Sequence, residues 1–330
     1  MKKAAVLGEK RAGLVEAPLP EIPAGSALVK VHIAPMCAEY KGFLDGNISD
    51  CLGHEAVGEI VEIPNPGLLQ VGDRVVVMPL FGCGTCEYCL SGDYIHCHES
   101  LKTQDATMSQ YVVKPTFILK KIPDDVSYEK ASLACCGLGP SFGAFQKMNL
   151  QAFDTVLITG LGPVGLGAIV NARYRGARVI AIESNSYRAA LALDLGAEAV
   201  IDPRDPEALS KIVELCGGSG PDCAVDCSGV VAAHRLCIDA VKRKGKVAFI
   251  GECHSETPLV ISRDMIRKGL ELYGSWHYNL NDFPKVMQII QNSQVVDKLI
   301  THVFPMSQIQ QAFEVSSSQQ AAKILLKPWE

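Results

Sequence analysis

The hydrophobic and polar positions of this chain follow two different patterns, one up to about residue 136 and one from about residue 154. In the first part, short β-branched runs such as Ala27–Ile33 and Gly58–Ile63 are separated by glycine and proline. Their alternation with a period of two predicts antiparallel strands joined by tight turns. In the second part, short apolar runs alternate with helix-length segments, which predicts βαβ units and a mostly parallel sheet.

The second part contains enough predicted strands for a complete doubly wound Rossmann domain. They are Thr155–Thr159, Arg178–Ile182, Ala199–Ile201, Cys223–Cys227, Lys246–Ile250 and Leu270–Tyr273. A predicted helix near Phe283–Gln291 and a predicted strand at Ala322–Leu326 follow, and we expect both to return to the first domain. The predicted fold class is therefore α/β, with a Rossmann parallel-sheet domain and a mostly antiparallel β domain.

Composition narrows the class of protein. The 330 residues exceed the roughly 250–300 at which one hydrophobic core stops growing, so two domains are expected. The net charge of −5 argues against nucleic acid as a partner, and no apolar run approaches the roughly 18 residues of a membrane span. Because the first residues lack a signal-peptide pattern, we expect a cytoplasmic protein whose 13 cysteines stay reduced.

A glycine-rich loop follows the first strand of the second part and leads into a helix. Its candidate cofactor-binding residues are Gly160, Gly162, Pro163, Val164 and Gly165. Such glycines allow a tight turn and let backbone N–H groups approach a pyrophosphate at a helix N-terminus. Glu183, after the next strand, is suited to accept the ribose hydroxyls and to repel a 2′-phosphate, although Arg188 partly offsets this effect. The loop predicts a dinucleotide site that prefers NAD to NADP; a tight turn beside a solvated glutamate is the alternative.

Four cysteines lie close together on a polar, glycine-rich segment at residues 81–99. They have the spacing C-x2-C-x2-C-x7-C and are Cys83, Cys86, Cys89 and Cys97. Four thiolates on such a loop suit a tetrahedral zinc whose closed shell leaves no position for substrate, so we predict a structural site. Buried apolar cysteines or a redox pair are the alternatives, but the loop is too polar for the first and has too many cysteines for the second. His96 and His98 flank the last cysteine and are interpreted as surface residues.

A second set of metal-ligating side chains is spread along the first part of the chain. Cys37 follows a predicted strand, His54 and Glu55 belong to a Gly-His-Glu motif, and Cys136 precedes the second part. The sequence alone does not bring these residues together.

The motifs taken together resemble those of the zinc-dependent medium-chain alcohol dehydrogenases over nearly the whole chain. The resemblance is carried by the Cys37 segment, Gly53–Glu55, the four-cysteine lobe, Asp73–Arg74, the Gly160–Gly165 loop and Leu299–Pro305. The Gly274–Trp276 turn and the chain length are more similar to polyol and threonine dehydrogenases than to the ethanol-type enzymes.

The resemblance implies a catalytic zinc held by Cys37, His54 and Cys136, with Glu55 beside it and, in some relatives, bound to it. Two thiolates and one imidazole are the open ligand set known from alcohol dehydrogenase itself. In the family, a glycine of the following helix lies seven residues after the third ligand. Gly143 lies seven residues after Cys136, so Cys136 is preferred to its neighbour Cys135. Many polyol relatives have a glutamate at this ligand, so the cysteine departs from that branch.

The resemblance also implies the organisation of the chain. A GroES-like catalytic domain is expected at residues 1–137, with the structural zinc lobe at 81–99. An NAD-binding Rossmann domain is expected at residues 138–275, and residues 276–330 are expected to return to the catalytic domain. Two zinc ions per chain and NAD are the implied cofactors.

The second and third positions after Cys37 depart from the family pattern. Ser or Thr followed by Asp is usual there, whereas this chain has Glu39 and Tyr40. The hydroxyl that passes the alcohol proton outward is thus replaced by a carboxylate, and the Asp that supports the zinc-bound histidine is replaced by a tyrosine. Our hypothesis is that Glu39 takes the hydroxyl proton directly or through one water. The alternatives are that Glu39 ligates the metal or is a solvated loop residue.

The predicted function is a zinc-dependent oxidoreductase that transfers a hydride between a secondary or polyol-type alcohol and NAD(P), with zinc polarising the substrate oxygen. Its catalytic candidates are Glu39, Cys37 and His54. The expected partners are a small alcohol or carbonyl substrate and further copies of the chain in a dimer or tetramer. Two alternatives are an NADPH-dependent reductase of a polarised double bond or iminium, and a non-catalytic, zinc-stabilised nucleotide-binding protein.

Overall fold

The computed structural model describes residues 1–99, 101 and 106–330, and these form two compact units. The first unit consists of Met1–Cys136, Asn279–Asn292 and Ile300–Glu330. The second unit consists of Gly137–Tyr278 and Ser293–Leu299.

The return of the chain to the first unit is less complete than the sequence predicts. Residues 276–278 and 293–299 group with the second unit. In the short turn Val296–Leu299, the Nζ atom of Lys298 donates a hydrogen bond to the carbonyl oxygen of Asp194 at 3.1 Å. The hydrophobic pattern of a sequence does not indicate a hydrogen bond between such distant segments. The boundary predicted from sequence therefore did not include it.

Strands and helices are numbered here in chain order. The strands are β1 (Lys2–Gly8), β2 (Arg11–Glu16), β3 (Ser26–Pro35), β4 (Ala56–Glu62), β5 (Arg74–Val77), β6 (Tyr111–Pro115), β7 (Leu119–Lys121), β8 (Thr155–Thr159), β9 (Arg178–Ile182), β10 (Ala199–Ile201), β11 (Cys223–Asp226), β12 (Lys246–Phe249), β13 (Glu271–Gly274), β14 (Ile300–Pro305) and β15 (Lys323–Lys327). The α-helices are α1 (Tyr40–Asp45), α2 (Glu87–Leu90), α3 (Tyr128–Ala131), α4 (Gly139–Met148), α5 (Pro163–Tyr174), α6 (Ser186–Asp194), α7 (Ala208–Leu215), α8 (Val231–Ala240), α9 (Phe283–Asn292) and α10 (Ile309–Ser317). Across the part of the chain that the structure describes, no helix is both long enough and apolar enough to cross a bilayer.

The first unit is built on a sheet with the strand order β14-β15-β3-β4-β5-β7, to which β6 is added by pairing with β3. The pairs are antiparallel except for β14 with β15, which confirms the predicted character of this domain. Alternate residues of β3, among them Ala27, Val29 and Val31, are fully buried in the core. The core extends to α1 and α10, where Phe43 and Phe313 stack at 4.9 Å. A packed core therefore supports the end of β3 and the start of β4, which lead to the candidate site.

The second unit is a parallel sheet with the order β10-β9-β8-β11-β12-β13, which confirms the predicted Rossmann architecture. Each predicted strand lies within one residue of an observed one. All of β8 is buried, as expected of a central parallel strand covered on both faces by helices. The carboxyl ends of these strands lie along one edge, where ligands bind in sheets of this kind.

Candidate active site

Candidate metal ligands from distant parts of the sequence meet at one place in the first unit. Their donor atoms lie within 4.8 Å of one another, and the residues are Cys37, His54, Glu55 and Cys136. The first lies just beyond the end of β3, and the next two come directly before β4. Because β3 and β4 pair antiparallel, with Ile33 opposite Val57, these chain segments lie side by side. We call the four residues the Cys37 cluster.

The imidazole of His54 lies between a sulfur and a carboxylate. Its Nε2 atom is 3.4 Å from Sγ of Cys136, and its Nδ1 atom is 3.2 Å from Oε1 of Glu39. Burial acts to lower the pKa of His54, but hydrogen bonds with Cys37 and Glu39 outweigh it and raise the pKa to about 11. One ring nitrogen therefore faces the ligand cluster, and the other faces a carboxylate outside it.

Glu55 is fully buried, and both of its oxygens accept hydrogen bonds. Oε1 accepts from Nζ of Lys323 at 2.6 Å, and Oε2 accepts from the backbone N–H of Cys136 at 3.0 Å. Burial raises the pKa of Glu55 in spite of the nearby Lys323 charge. Burial also acts to lower the pKa of Lys323, but Glu55 reverses this and raises it. A buried ammonium group thus balances a carboxylate that lies beside two thiols.

The two cysteines of the Cys37 cluster share a hydrogen bond. This bond lowers the pKa of Cys37 and raises that of Cys136. The neighbouring Cys135 is buried, and its thiol donates to the carbonyl oxygen of Val77 at 3.5 Å. It does not belong to the cluster.

A second cluster contains the sulfurs of Cys83, Cys86, Cys89 and Cys97, all within 4.8 Å of one another. The Cys83–Cys89 and Cys86–Cys97 sulfur pairs are 4.0 and 3.8 Å apart. Tetrahedral zinc with bonds of about 2.3 Å places its sulfurs about 3.8 Å apart, so the donor set fits a closed zinc shell. Hydrogen bonds from Thr85 lower the pKa of Cys83 to about 6, whereas burial raises that of Cys89 to about 12.

The four-cysteine lobe is tied to a distant segment of the same unit. Nδ2 of Asn279 donates to the carbonyl oxygen of Ser91 at 3.0 Å and to the carboxylate of Asp93 at 2.9 Å. His96 and His98, interpreted from sequence as surface residues, are exposed and lie outside the cysteine cluster. The loop of the lobe around Ser91 is therefore anchored to the segment that contains Asn279.

If the lobe holds the predicted structural zinc, replacing Cys89 by serine should remove that ion and lower the melting temperature by roughly 5–10 °C, because a structural zinc contributes folding free energy directly. Zinc analysis and calorimetry of the purified variant measure both effects. Cys51→Ser is the matched control, since this exposed cysteine lies outside both clusters. An unchanged zinc content in Cys89→Ser would contradict the assignment of the lobe.

The glycine loop connects β8 to α5, and two of its glycines leave no room for a side chain. Gly160 has a φ of +78°, and a Cβ atom there would lie 2.5 Å from that of Ser228. A Cβ atom on Gly165 would collide with the carbonyl oxygen of Gly160. Gly162 is extended and open on its outer side, and α5 begins at Pro163, followed by Val164, which leaves the first N–H groups of the helix directed at the loop.

Two alanine substitutions in this loop should have different effects. Gly165→Ala should cost about 1–3 kcal/mol of folding free energy, because the added methyl group meets rigid backbone.

Gly162→Ala should change stability by less than about 0.5 kcal/mol, since nothing lies within 4 Å of its Cβ position. It should nevertheless weaken NADH binding about tenfold or more, because the backbone approaches the pyrophosphate at this glycine. Urea unfolding and NADH fluorescence titration distinguish the two effects; equal NADH affinity in Gly162→Ala and wild type would contradict a dinucleotide at the loop.

Glu183 directly follows β9 and faces the glycine loop. Its Oε2 atom accepts a hydrogen bond from the backbone N–H of Leu161 at 2.9 Å, and its Oε1 atom accepts from Ser184 and Asn185. Arg188 lies in the first turn of α6, where its N–H donates to the side chain of Asn185. The carboxylate thus lies against the same loop that the sequence predicts to bind the pyrophosphate.

Comparison with known proteins covers both units. Residues 23–124 match the family model "Alcohol dehydrogenase GroES-like domain", and residues 163–292 match the model "Zinc-binding dehydrogenase". A sorbitol dehydrogenase from Bacillus subtilis is 30% identical over 99% of this chain and 97% of its own length. The chain belongs to the zinc-dependent medium-chain alcohol dehydrogenase family.

Further proteins similar to this dehydrogenase are also named as dehydrogenases. A D-arabitol-phosphate dehydrogenase from Enterococcus avium is 28% identical over 97% of this chain and 95% of its own length. The solved structure of an alcohol dehydrogenase from Thermus sp. ATN1 matches with a TM-score of 0.91 and 25% identity, covering 99% of both chains. The predicted family and activity are confirmed: the protein is a zinc-dependent alcohol oxidoreductase acting on a small-molecule alcohol. Neither the double-bond reductase nor the non-catalytic alternative is favoured by these relatives.

Sequence reasoning missed Lys323, the dehydrogenase residue that neutralises Glu55. It was included only as part of a predicted terminal strand. A signal was present, because a single lysine lies within the apolar run Ala-Ala-Lys-Ile-Leu-Leu at residues 321–326. A charged residue in a buried strand requires a buried partner of opposite charge.

A buried polar network at the carboxyl ends of β8 and β11 was also missed. The fully buried carboxylate of Asp226 accepts from the hydroxyl of Thr159 at 2.7 Å and from that of Ser228 at 2.6 Å. Nε2 of His234 lies 3.2 Å from the same carboxylate, and its Nδ1 is 2.6 Å from the Thr257 hydroxyl. The network orders the loop that follows β11, at the edge of the sheet where ligands bind in folds of this kind.

Proposed function

We propose that this protein is an NAD-dependent dehydrogenase of secondary or polyol-type alcohols. Cys37, His54 and Cys136 are proposed to hold the catalytic zinc, with Glu55 beside it. The four-cysteine lobe is proposed to hold a second, structural zinc. The observation that carries this proposal is the convergence of the four donor atoms of the Cys37 cluster within 4.8 Å.

The residues of the Cys37 cluster fit zinc by their chemistry. Two sulfurs and an imidazole nitrogen are donors that zinc prefers, and three protein ligands leave a position for a substrate oxygen. Bound there, zinc would supply Lewis acidity toward the substrate oxygen. The four sulfurs of the lobe leave no such position, which supports a purely structural role for that site.

Buried residues next to the Cys37 cluster balance the negative charge of Glu55. Lys323 neutralises Glu55, so the zinc ligands do not face an uncompensated carboxylate. The backbone N–H of Cys136 holds the second oxygen of Glu55, which keeps this side chain directed at its partner. Both oxygens of Glu55 therefore already accept hydrogen bonds. These contacts support its assignment as a neighbour of the metal and not as a ligand.

Glu39 is the predicted proton acceptor. That role requires a pKa raised toward the working pH. Burial acts in this direction, but hydrogen bonding and charge from His54 reverse it, so the pKa of Glu39 is lowered. The proton-acceptor assignment stays a prediction, and the contacts of the two Glu39 oxygens support a different role.

NAD is proposed as the cofactor in preference to NADP. The argument is the carboxylate of Glu183, which lies against the glycine loop and would repel a 2′-phosphate. Arg188 on the next helix opposes this effect only in part. The loop residues Gly160, Gly162, Pro163, Val164 and Gly165 are proposed to contact the pyrophosphate.

A homo-oligomer in the cytoplasm is proposed as the working form. β13 is an outer strand of the parallel sheet, paired on one side with β12, so its other edge is suited to a second copy. The thirteen cysteines are free thiols, and two sets are proposed as metal ligands, which requires a reducing compartment.

One screen tests the proposed function. The wild-type protein is assayed for NAD and NADP reduction with polyols, amino alcohols and simple alcohols, and its zinc content is measured on the same sample. We expect two zinc ions per chain, turnover with a secondary polyol-type alcohol, and at least about a tenfold higher kcat/KM with NAD than with NADP, equivalent to ~1.4 kcal/mol. Turnover confined to NADPH and unsaturated carbonyls, or a single zinc per chain, would refute the proposal.

A further inference from the structure

Glu39 holds the backbone next to the first proposed zinc ligand. Its own backbone is helical and directly precedes α1, and its side chain turns back toward the end of β3. There Oε2 accepts a hydrogen bond from the backbone N–H of Cys37 at 2.7 Å. The side chain is only 10% exposed, so its position is defined by protein contacts and not by solvent.

The other oxygen of Glu39 faces the second proposed ligand. Oε1 lies 3.2 Å from Nδ1 of His54, while Nε2 of the same ring lies 3.4 Å from Sγ of Cys136. A histidine binds a metal through one ring nitrogen, and the group beside the other nitrogen decides which tautomer is present. A carboxylate at Nδ1 keeps the proton there and leaves the lone pair of Nε2 for the metal.

The residue after Glu39 cannot take this role. Tyr40 has its side chain packed against the hydrophobic core of the first unit, together with the partly buried Leu44 of α1. It also lacks a carboxylate. The position where the family usually has a supporting Asp is thus used for packing, and the longer acidic side chain of Glu39, one residue earlier, reaches the imidazole.

We propose that Glu39 is a positioning residue that orients His54 and the Cys37 backbone together, so that Nε2 of His54 is presented to the catalytic metal. This inference rests on the proposed zinc site. It differs from the proton-acceptor hypothesis in what the carboxylate touches: two ligand residues, and not the reacting alcohol. Its first consequence is therefore on metal affinity, and any change in turnover follows from that.

Two substitutions of Glu39 test the inference. Glu39→Gln keeps the size of the side chain and an oxygen for the Cys37 N–H, but directs an amide NH2 group at Nδ1 of His54. That arrangement favours the tautomer with its proton on Nε2. The protonated Nε2 atom has no lone pair left for the metal. Glu39→Ala removes both contacts.

Zinc affinity is measured by competition with a chelator on the full-length protein, with kcat and KM recorded in excess zinc. Both variants should weaken one of the two zinc sites by about 10–100-fold. The four-cysteine site should be unchanged and serves as an internal reference. Glu59→Gln is the matched control, because this half-exposed carboxylate lies 3.9 Å from Nε2 of His32, outside both clusters. It should leave both zinc affinities and turnover unchanged.

Unchanged zinc affinity in both Glu39 variants would overturn the inference. If turnover were then lost in excess zinc, Glu39 would be the proton acceptor, and if turnover were kept, it would have neither role. A wild-type protein that binds zinc only at the four-cysteine lobe would instead refute the proposed function, and this inference with it. The two failures are therefore distinguishable in one experiment.

Discussion

Replacing Lys323 by methionine should lower the free energy of unfolding by about 3–5 kcal/mol, because it leaves the carboxylate of Glu55 buried without its partner. The two side chains are 1% and 0% exposed and their charged atoms are 2.6 Å apart. Methionine fills a similar volume without a charge, so the loss measures the stranded carboxylate and not a cavity. Urea unfolding of the zinc-loaded protein gives the value directly.

The same strand provides the control. Lys327 pairs with Glu330 at 3.4 Å, but its side chain is 35% exposed and that of its partner is 57% exposed. Lys327→Met should therefore cost less than about 1 kcal/mol. Adding Glu55→Gln to Lys323→Met should recover part of the loss, since the buried charge is then removed. Equal stability of the Lys323→Met and Lys327→Met proteins would contradict a buried ion pair.

Replacing Cys136 by serine should give the largest loss of turnover. Zinc contributes several kcal/mol of transition-state stabilisation in this type of site, so kcat/KM should fall by about a thousandfold or more. Zinc analysis should find one ion per chain in this variant and the two proposed ions in the wild type.

The adjacent Cys135→Ser is a sharp control for that prediction. A serine hydroxyl can still donate to the carbonyl oxygen of Val77, as the thiol does. Zinc content and turnover should stay close to those of the wild type. Loss of zinc in Cys135→Ser with retention in Cys136→Ser would exchange the roles of the two neighbours and contradict the account.

The parallel sheet was predictable because its signal is local. Each strand is a short apolar run, such as Thr155–Thr159, and the helix after the glycine loop begins at a proline, which fits the first position of a helix. The four-cysteine lobe was predictable for the same reason, since its ligands lie within one segment. Patterns of this kind need no knowledge of which distant residues touch.

The surroundings of the Cys37 cluster were not predictable in this way. Lys323 and Glu55 are 268 residues apart in sequence, and no periodicity connects them. The side chain of Glu39 has several rotatable bonds, so its choice between solvent, metal and the His54 ring depends on the pairing of β3 with β4. Residue type indicated that Glu39 matters at the site, and the folded chain indicates which atoms it contacts.

Cys37, His54 and Cys136 are proposed to hold a zinc ion that is separate from the one proposed in the four-cysteine lobe. Anomalous diffraction at the zinc absorption edge, on crystals of the wild-type protein, tests it most directly. We expect two peaks per chain, one of them about 2.0–2.3 Å from Nε2 of His54 and from both thiolates. A single peak, at the four-cysteine lobe, would contradict it.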